Sequence, residues 1–247
     1  MPNDEPGGAP EGRSAWTWLV TASACIVLGV AAAGLAWWAL SSERRVTSYQ
    51  VRGALTAVTL DLGGSDAEIV GGRDEPVVGV RRTERFAFGQ EARVAREIAS
   101  GRLRIRSRCP ASVLGTCSAT YRLTIPNNVA ITVRTGGGSV RLRGFRGSAQ
   151  IDTSTGDIAA DAYCGFLLRA RADTGDVSAS TSCATERLEL RSRTGHVRAV
   201  VPPGRYRIDA DSDEGSRRVR GLVAAESAPF QIQALSSTGD VDLSAGP

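Results

Sequence analysis

The chain has no lysine, and all 30 of its basic residues are arginine. With abundant alanine and glycine, this reads as the codon bias of a GC-rich genome, so the formal charge of +4 says little about partners. Beyond residue 40 there are 29 arginines against 23 carboxylates, spread without a dense basic block, which speaks against nucleic acid as a partner. The only histidine is His196, and no Gly-x-Ser-x-Gly or Walker loop occurs, so hydrolytic and nucleotide chemistry have little material. Cysteines are few, and neither Cys109/Cys117 nor Cys164/Cys183 has the short gap of a structural zinc site. No cofactor or metal is implied. Aromatics make up only 5% of the chain, and all four tryptophans sit at the two ends of one segment.

That segment, Ala15 to Leu40, is 26 residues without a charge, where ~20 suffice to cross a bilayer. Trp16 and Trp18 stand at its start and Trp37 and Trp38 near its end, as in an interfacial aromatic belt. A transmembrane helix over 15–40 is therefore expected, with a polar tail over 1–14 and a linker over 41–50. A cleaved signal peptide is the alternative, but the apolar run exceeds its usual ~7–15 residues and the leader is more acidic than basic. Lipidation at Cys25 is disfavoured by the uncharged residues that follow it. Orientation is contested. Arg44, Arg45 and Arg52 after the span favour the C-terminal domain inside, whereas four cysteines able to form two pairs favour an oxidising compartment.

Past the linker, residues 51–247 read as β throughout. "VTLDL", "EPVVGVRR", "GRLRIRS", "YRLTIP" and "NVAITVRT" are strand-like, and only "FGQEARVAREIASG" has the makings of a helical turn. From 135 to 247 a repeat takes over. Thr-Gly recurs at Thr135, Thr155, Thr174, Thr194 and Thr238, with a degenerate Glu214-Gly215 before the last, in steps of 20, 19, 20, 20 and 24. A fixed period near 20 means stacked units, and alternation between the turns means half-buried strands. Two short strands per unit fit an all-β stack of ~20-residue rungs, a β-solenoid. Gly156, Gly175, Gly195 and Gly239 would supply positive φ at the corners, and Asp157, Asp176 and Asp240 would bond the turn backbone.

Cys164 and Cys183 each follow a Thr-Gly threonine by nine residues, so stacking puts them at one site on neighbouring rungs, ~4.8 Å apart. That is within disulfide reach, with two stacked thiols as the alternative. Cys109 and Cys117 flank a Pro- and Gly-containing loop, where a bridge would pin a hairpin. Asp157 and Asp176 would also stack and could share a cation, but calcium wants ~6–8 oxygens and His196 interrupts the carboxylate ladder, so turn capping is the expected role. Among outward residues, Arg169, Arg171, Arg191 and Arg193 are the candidate face for an anionic ligand, against ordinary solvated strand faces.

The stretch "LRIRS…YRLTIPNNVAITVRTGGGSVRLRGFRGSAQIDTSTGDIAA" resembles the bacterial "putative adhesin" domain, over about 51–246. The resemblance implies a right-handed β-solenoid or β-helix-like stack behind one transmembrane helix, and it supplies no catalytic residues. The chain departs from the pattern at Glu214-Gly215-Ser216 and at His196. The expected protein is a non-enzymatic, single-pass cell-membrane protein with an extracytoplasmic binding, adhesion or envelope-sensing domain, whose partner is an envelope polymer or another envelope protein. A cytoplasm-facing regulatory or assembly partner is the alternative, and a polysaccharide-active β-helix enzyme a lesser one.

Overall fold

The structure is a computed structural model that describes residues 12–72, 76–87, 90–110 and 117–246. It divides into two units, Met1–Ser42 and Glu43–Pro247. In the first, helix α1 covers Gly12–Ser41, with side chains described over 22–37, where Ile26, Leu28, Leu35 and Trp37 are exposed. The expected span falls within α1. Most of the tail and the side chains of Trp16, Trp18 and Trp38 lie outside the described residues. Among the described residues, no helix is long and apolar enough to cross a membrane.

The second unit is strand and turn. The strands ahead of the repeat are β1 (Ser42–Arg52), β2 (Ala57–Asp61), β3 (Asp66–Gly71), β4 (Val77–Ala87), β5 (Arg93–Ala99), β6 (Arg102–Arg108), β7 (Cys117–Ile125) and β8 (Ala130–Thr135). In the repeat they are β9 (Val140–Arg143), β10 (Ala149–Thr155), β11 (Ile158–Tyr163), β12 (Leu167–Thr174), β13 (Val177–Thr181), β14 (Arg187–Thr194), β15 (Val197–Val201), β16 (Arg205–Ser212), β17 (Arg217–Arg220), β18 (Val223–Ala224), β19 (Gln231–Thr238) and β20 (Val241–Ala245). They form two ten-stranded sheets, ordered β1-β4-β7-β3-β9-β11-β13-β15-β20-β17 and β18-β16-β19-β14-β12-β10-β8-β2-β6-β5.

Each Thr-Gly turn carries the chain from one sheet to the other, so a repeat contributes one strand to each. Like residues then meet in parallel register. Ile151 pairs with Ala170, Ala170 with Leu190, and Leu190 with Ala234. In the other sheet Ile158, Val177, Val197 and Val241 follow one another. These side chains are almost wholly buried, and each large aliphatic contributes about 1.5–3 kcal/mol by leaving water. Alternation puts the apolar partner of every outward residue into one continuous core between the sheets.

The stacking order differs from the chain order at both ends. The period alone predicts that the Glu214 layer sits on the Thr194 layer. Instead β19 pairs with β14, aligning Thr238 with Thr194, and β16 lies outside β19. At the other end the β2–β3 layer is inserted between β8–β9 and β6–β7. The C-terminal strands β19 and β20 are thereby paired on both sides and tied into the stack. The edges are left to the two-residue β18 and to β17, whose sequence Arg-Arg-Val-Arg is short and charged, as suits an unpaired edge.

Three local expectations are corrected. The linker over 41–50 is occupied by β1, an edge strand. The "REIASG" region is strand, because Arg93–Ala99 pairs antiparallel with β6 and Ile98 meets Leu103 across the ladder. Strands β6 and β7 do not form a hairpin but lie in opposite sheets, so the Cys109–Cys117 bridge, 5.7 Å between Cα atoms, staples a sheet-to-sheet crossing. The intervening loop, 111–116, lies outside the described residues.

Candidate functional site

The corners of the repeat form three parallel columns. In the first, Gly156, Gly175, Gly195 and Gly239 have φ of 133°, 139°, 147° and 136°, a region L side chains rarely adopt. A second constraint acts at the same atoms, since a Cβ on Gly156 would stand 2.6 Å from the Gly138 carbonyl oxygen, and one on each later glycine would collide with the glycine before it. Backbone stacks on backbone here, so the layers fit only without side chains.

Beside the glycines runs a ladder in which each corner side chain accepts the backbone N–H of the next layer. Asp66 Oδ1 accepts from Ser139 (2.9 Å), Asp157 Oδ1 from Asp176 (2.9 Å) and Asp176 Oδ1 from His196 (2.7 Å). His196 does not interrupt the ladder, contrary to expectation. Its Nδ1 accepts the Asp240 N–H at 3.0 Å, which assigns the neutral tautomer with the proton on Nε2. Asp240 Oδ1 completes the series by accepting the N–H and hydroxyl of Ser216 at 2.8 and 2.7 Å. Those Ser216 bonds, helped by Arg218, hold the Asp240 carboxyl below its ordinary range. Asp157, Asp176 and Asp240 thus have structural work at the backbone. Among the described residues no group of three or more His, Cys, Asp or Glu side chains is placed to hold a metal ion.

The third column faces inward. Thr153 donates to the Gly138 carbonyl (3.3 Å), and Ser192, Ser236 and Ser212 donate at 2.7 Å to Gly175, Gly195 and Gly239. Each hydroxyl satisfies a corner carbonyl of the adjacent layer. In the layer where this position is Ala172, the Gly156 carbonyl lacks that donor.

Farther along the same layers, Cys164 and Cys183 are bonded, with Cα atoms 5.2 Å apart. Next to this bridge the ring of Tyr163 is fully buried, and its hydroxyl hydrogen is shared between the carbonyls of Gly147 (2.8 Å) and Leu167 (2.6 Å). Burial pushes that phenol well above its ordinary pKa, so it stays a neutral donor.

The four candidate arginines share the outer face of one sheet, but three are engaged. Arg169 grips Glu189 through two bonds of 2.6 and 3.0 Å, and Arg193 pairs with Asp173 at 2.9 Å. Arg191 donates to the Gln233 side chain. Arg171 stands between Asp152 and Arg191 in the register. Bonded to Arg169, the Glu189 carboxyl is held below the ordinary glutamate range. The signal for this pairing was in the sequence, because each ion pair joins residues 20 apart, one repeat period. A denser group of arginines, none in an ion pair among the described residues, lies elsewhere. Arg93, Arg104, Arg106 and Arg108 line a groove of ≈ 870 Å³ with Asp61, Val94, Ala95, Cys109 and Pro110. Sequence reasoning missed that site, although "RLRIRSR" places an arginine at every second residue.

No family model matches this chain, and no curated protein matches it. Its fold is similar to that of a "putative cell adhesion protein" from Clostridium sporogenes ATCC 15579, at 10% identity and a TM-score of 0.51, over 83% of this chain and 100% of that one. Lower scores relate it to a "putative adhesin" from Bacteroides fragilis NCTC 9343 (12% identity, TM-score 0.44, 82% of this chain and 97% of that one). Another "putative adhesin", from Parabacteroides distasonis ATCC 8503, is 13% identical with a TM-score of 0.34, over 81% and 97% of the two chains. At such identity the first likeness establishes one thing: this chain and that solved structure share a fold.

Proposed function

We propose that this chain is a single-pass membrane protein holding a right-handed β-solenoid outside the cell membrane as a non-enzymatic binding or adhesion module. The Cys164–Cys183 bridge carries the reading: it joins neighbouring layers of the stack, and stable disulfides belong to oxidising compartments. The in-register parallel pairing of strands one repeat apart supports ~20-residue rungs. The 26 uncharged residues from Ala15 to Leu40 supply the anchor, and the exposed Ile26, Leu28 and Leu35 are suited to lipid. A non-enzymatic role fits the occupation of the corner carboxylates by backbone N–H groups. An envelope polymer or another envelope protein is the proposed partner, a reading compatible with the fold shared with a "putative cell adhesion protein".

Protease accessibility tests this reading. In intact cells without an outer barrier, or in spheroplasts, added protease should remove the domain while a cytoplasmic marker survives. A domain cut only after lysis would overturn it and place the domain on the cytoplasmic side, which the arginines after the span favour.

A further inference from the structure

We propose that the outer face of β6 is a binding site for a linear polyanion, a polymer bearing phosphate or carboxylate groups along its length. Leu103, Ile105 and Ser107 of β6 are buried, so Arg102, Arg104, Arg106 and Arg108 all stand on the opposite face. Period two spaces these guanidinium groups ~7 Å apart along the strand. Arg93 of β5 lies opposite Arg108 and adds a fifth. The row is flanked by short side chains, Ala57 and Thr59 from β2 and Ala95 and Ala99 from β5, which leaves the arginines lining an open groove.

What marks this row is its density, four arginines alternating along one strand with a fifth across the ladder. Down the same sheet, Arg169 and Arg193 have carboxylates one layer away. None of the five arginines here is in an ion pair among the described residues. The register brings Asp61 beside Arg106 and Glu97 beside Arg104, so five cations meet two carboxylates. The Nε of Arg104 is buried without a partner, a donor that an anion in the groove would satisfy. Guanidinium forks bind carboxylate and phosphate oxygens in pairs, and a row of them suits a chain better than a single anion. No Phe, Tyr, Trp or His lines the groove among the described residues, so neither bases nor sugar rings are stacked, and charge is what is read. The inference rests on the binding-module reading and names the chemistry of its ligand.

The test uses the full chain with two probes, long-chain inorganic polyphosphate and poly-glutamate, titrated at low and high salt. Binding should weaken as salt rises, and Arg104→Ser/Arg106→Ser/Arg108→Ser should lower affinity about tenfold or more. Removing equal charge with Arg198→Ser/Arg217→Ser/Arg218→Ser, on the other sheet, should change it about twofold or less. The corresponding triple Arg→Lys variant of β6 should retain most of the binding at low salt, which separates charge loss from misfolding. Equal losses in both serine triples, binding of neither polymer, or a preference for anionic lipid vesicles over the free polymers would overturn the site. Capture of envelope material by a chain that binds neither polymer would remove this inference and leave the binding module standing.

Discussion

Replacing Gly175 by alanine should destabilise the domain far more than replacing its neighbour Asp176, although alanine adds one methyl and the aspartate change removes a charge. At Gly175 two costs add. The residue sits at φ 139°, and an L side chain there stores roughly 1–3 kcal/mol of backbone strain. Its Cβ would lie 2.6 Å from the Gly156 carbonyl carbon and closer still to the oxygen, an overpacking cost of about 1–3 kcal/mol because both contacts are backbone. The sum of about 2–6 kcal/mol approaches the whole stability of many domains. Asp176→Ala removes one acceptor, the partner of the His196 N–H at 2.7 Å, at an exposed corner that water can serve, so ~1 kcal/mol is expected. Denaturant unfolding of the two variants beside the parent chain measures both. Because layers contact only their neighbours, Gly175→Ala should also loosen the transition by uncoupling the layers on either side. Equal losses for the two variants would refute the stacked-glycine account of the corner.

Three further outcomes follow from other columns. Ala172→Ser should stabilise the domain by ~0.5–1.5 kcal/mol, read as a raised denaturant midpoint, because Ala172 is buried where Thr153, Ser192 and Ser236 donate to a corner carbonyl. Arg82→Ala should cost about 3–5 kcal/mol, since Glu84, almost fully buried and 3.0 Å from Arg82, would keep a charge without a partner; Arg82→Met with Glu84→Met should cost much less in the same unfolding assay. Glu189→Gln should flatten the acid limb of stability. The Arg169 pairing depresses the Glu189 pKa below its ordinary 4.5, so its contribution is complete above that pH and fades as pH falls through the depressed value; melting temperatures from neutral to acid pH should converge for parent and variant at the acid end.

The repeat was legible because the corner imposes two independent demands, positive φ and a missing side chain, and only glycine meets both. The cysteine pair was legible for the same reason, since one period moves a residue one layer. Stacking order was not legible, because a period states how long a layer is and not which layer lies next to it. The signal was nonetheless present in the 24-residue last step and in Glu214-Gly215-Ser216. That layer lies outside β19–β20, and Gly215 there is released from positive φ but not from close contact with the Gly239 backbone, so the glycine stays while its neighbours Glu214 and Ser216 depart from the pattern. At the opposite end β2, β6, β7, β8 and the start of β4 were legible, but the rest of β4 and the whole of β5 were not. Arg82 and Glu84 occupy inward positions of β4, so charge replaces the apolar residues that alternation needs, and the ion pair hides the strand's inner face. Likewise β5 is exposed along its whole length, which removes the alternation that would have marked it as strand. Of the candidate site, the outward arginines were visible but their neutralisation depended on which carboxylates stacked beside them.

The account's central claim, an in-register stack held outside the membrane, is tested most directly by non-reducing peptide mapping of the full chain from cells lysed in a thiol-blocking reagent. It predicts Cys164 joined to Cys183 and Cys109 to Cys117, with Cys25 alone carrying the blocking group. A crossed pairing such as Cys117 with Cys164 would contradict the stack, and blocking groups on all five cysteines would contradict its placement in an oxidising compartment.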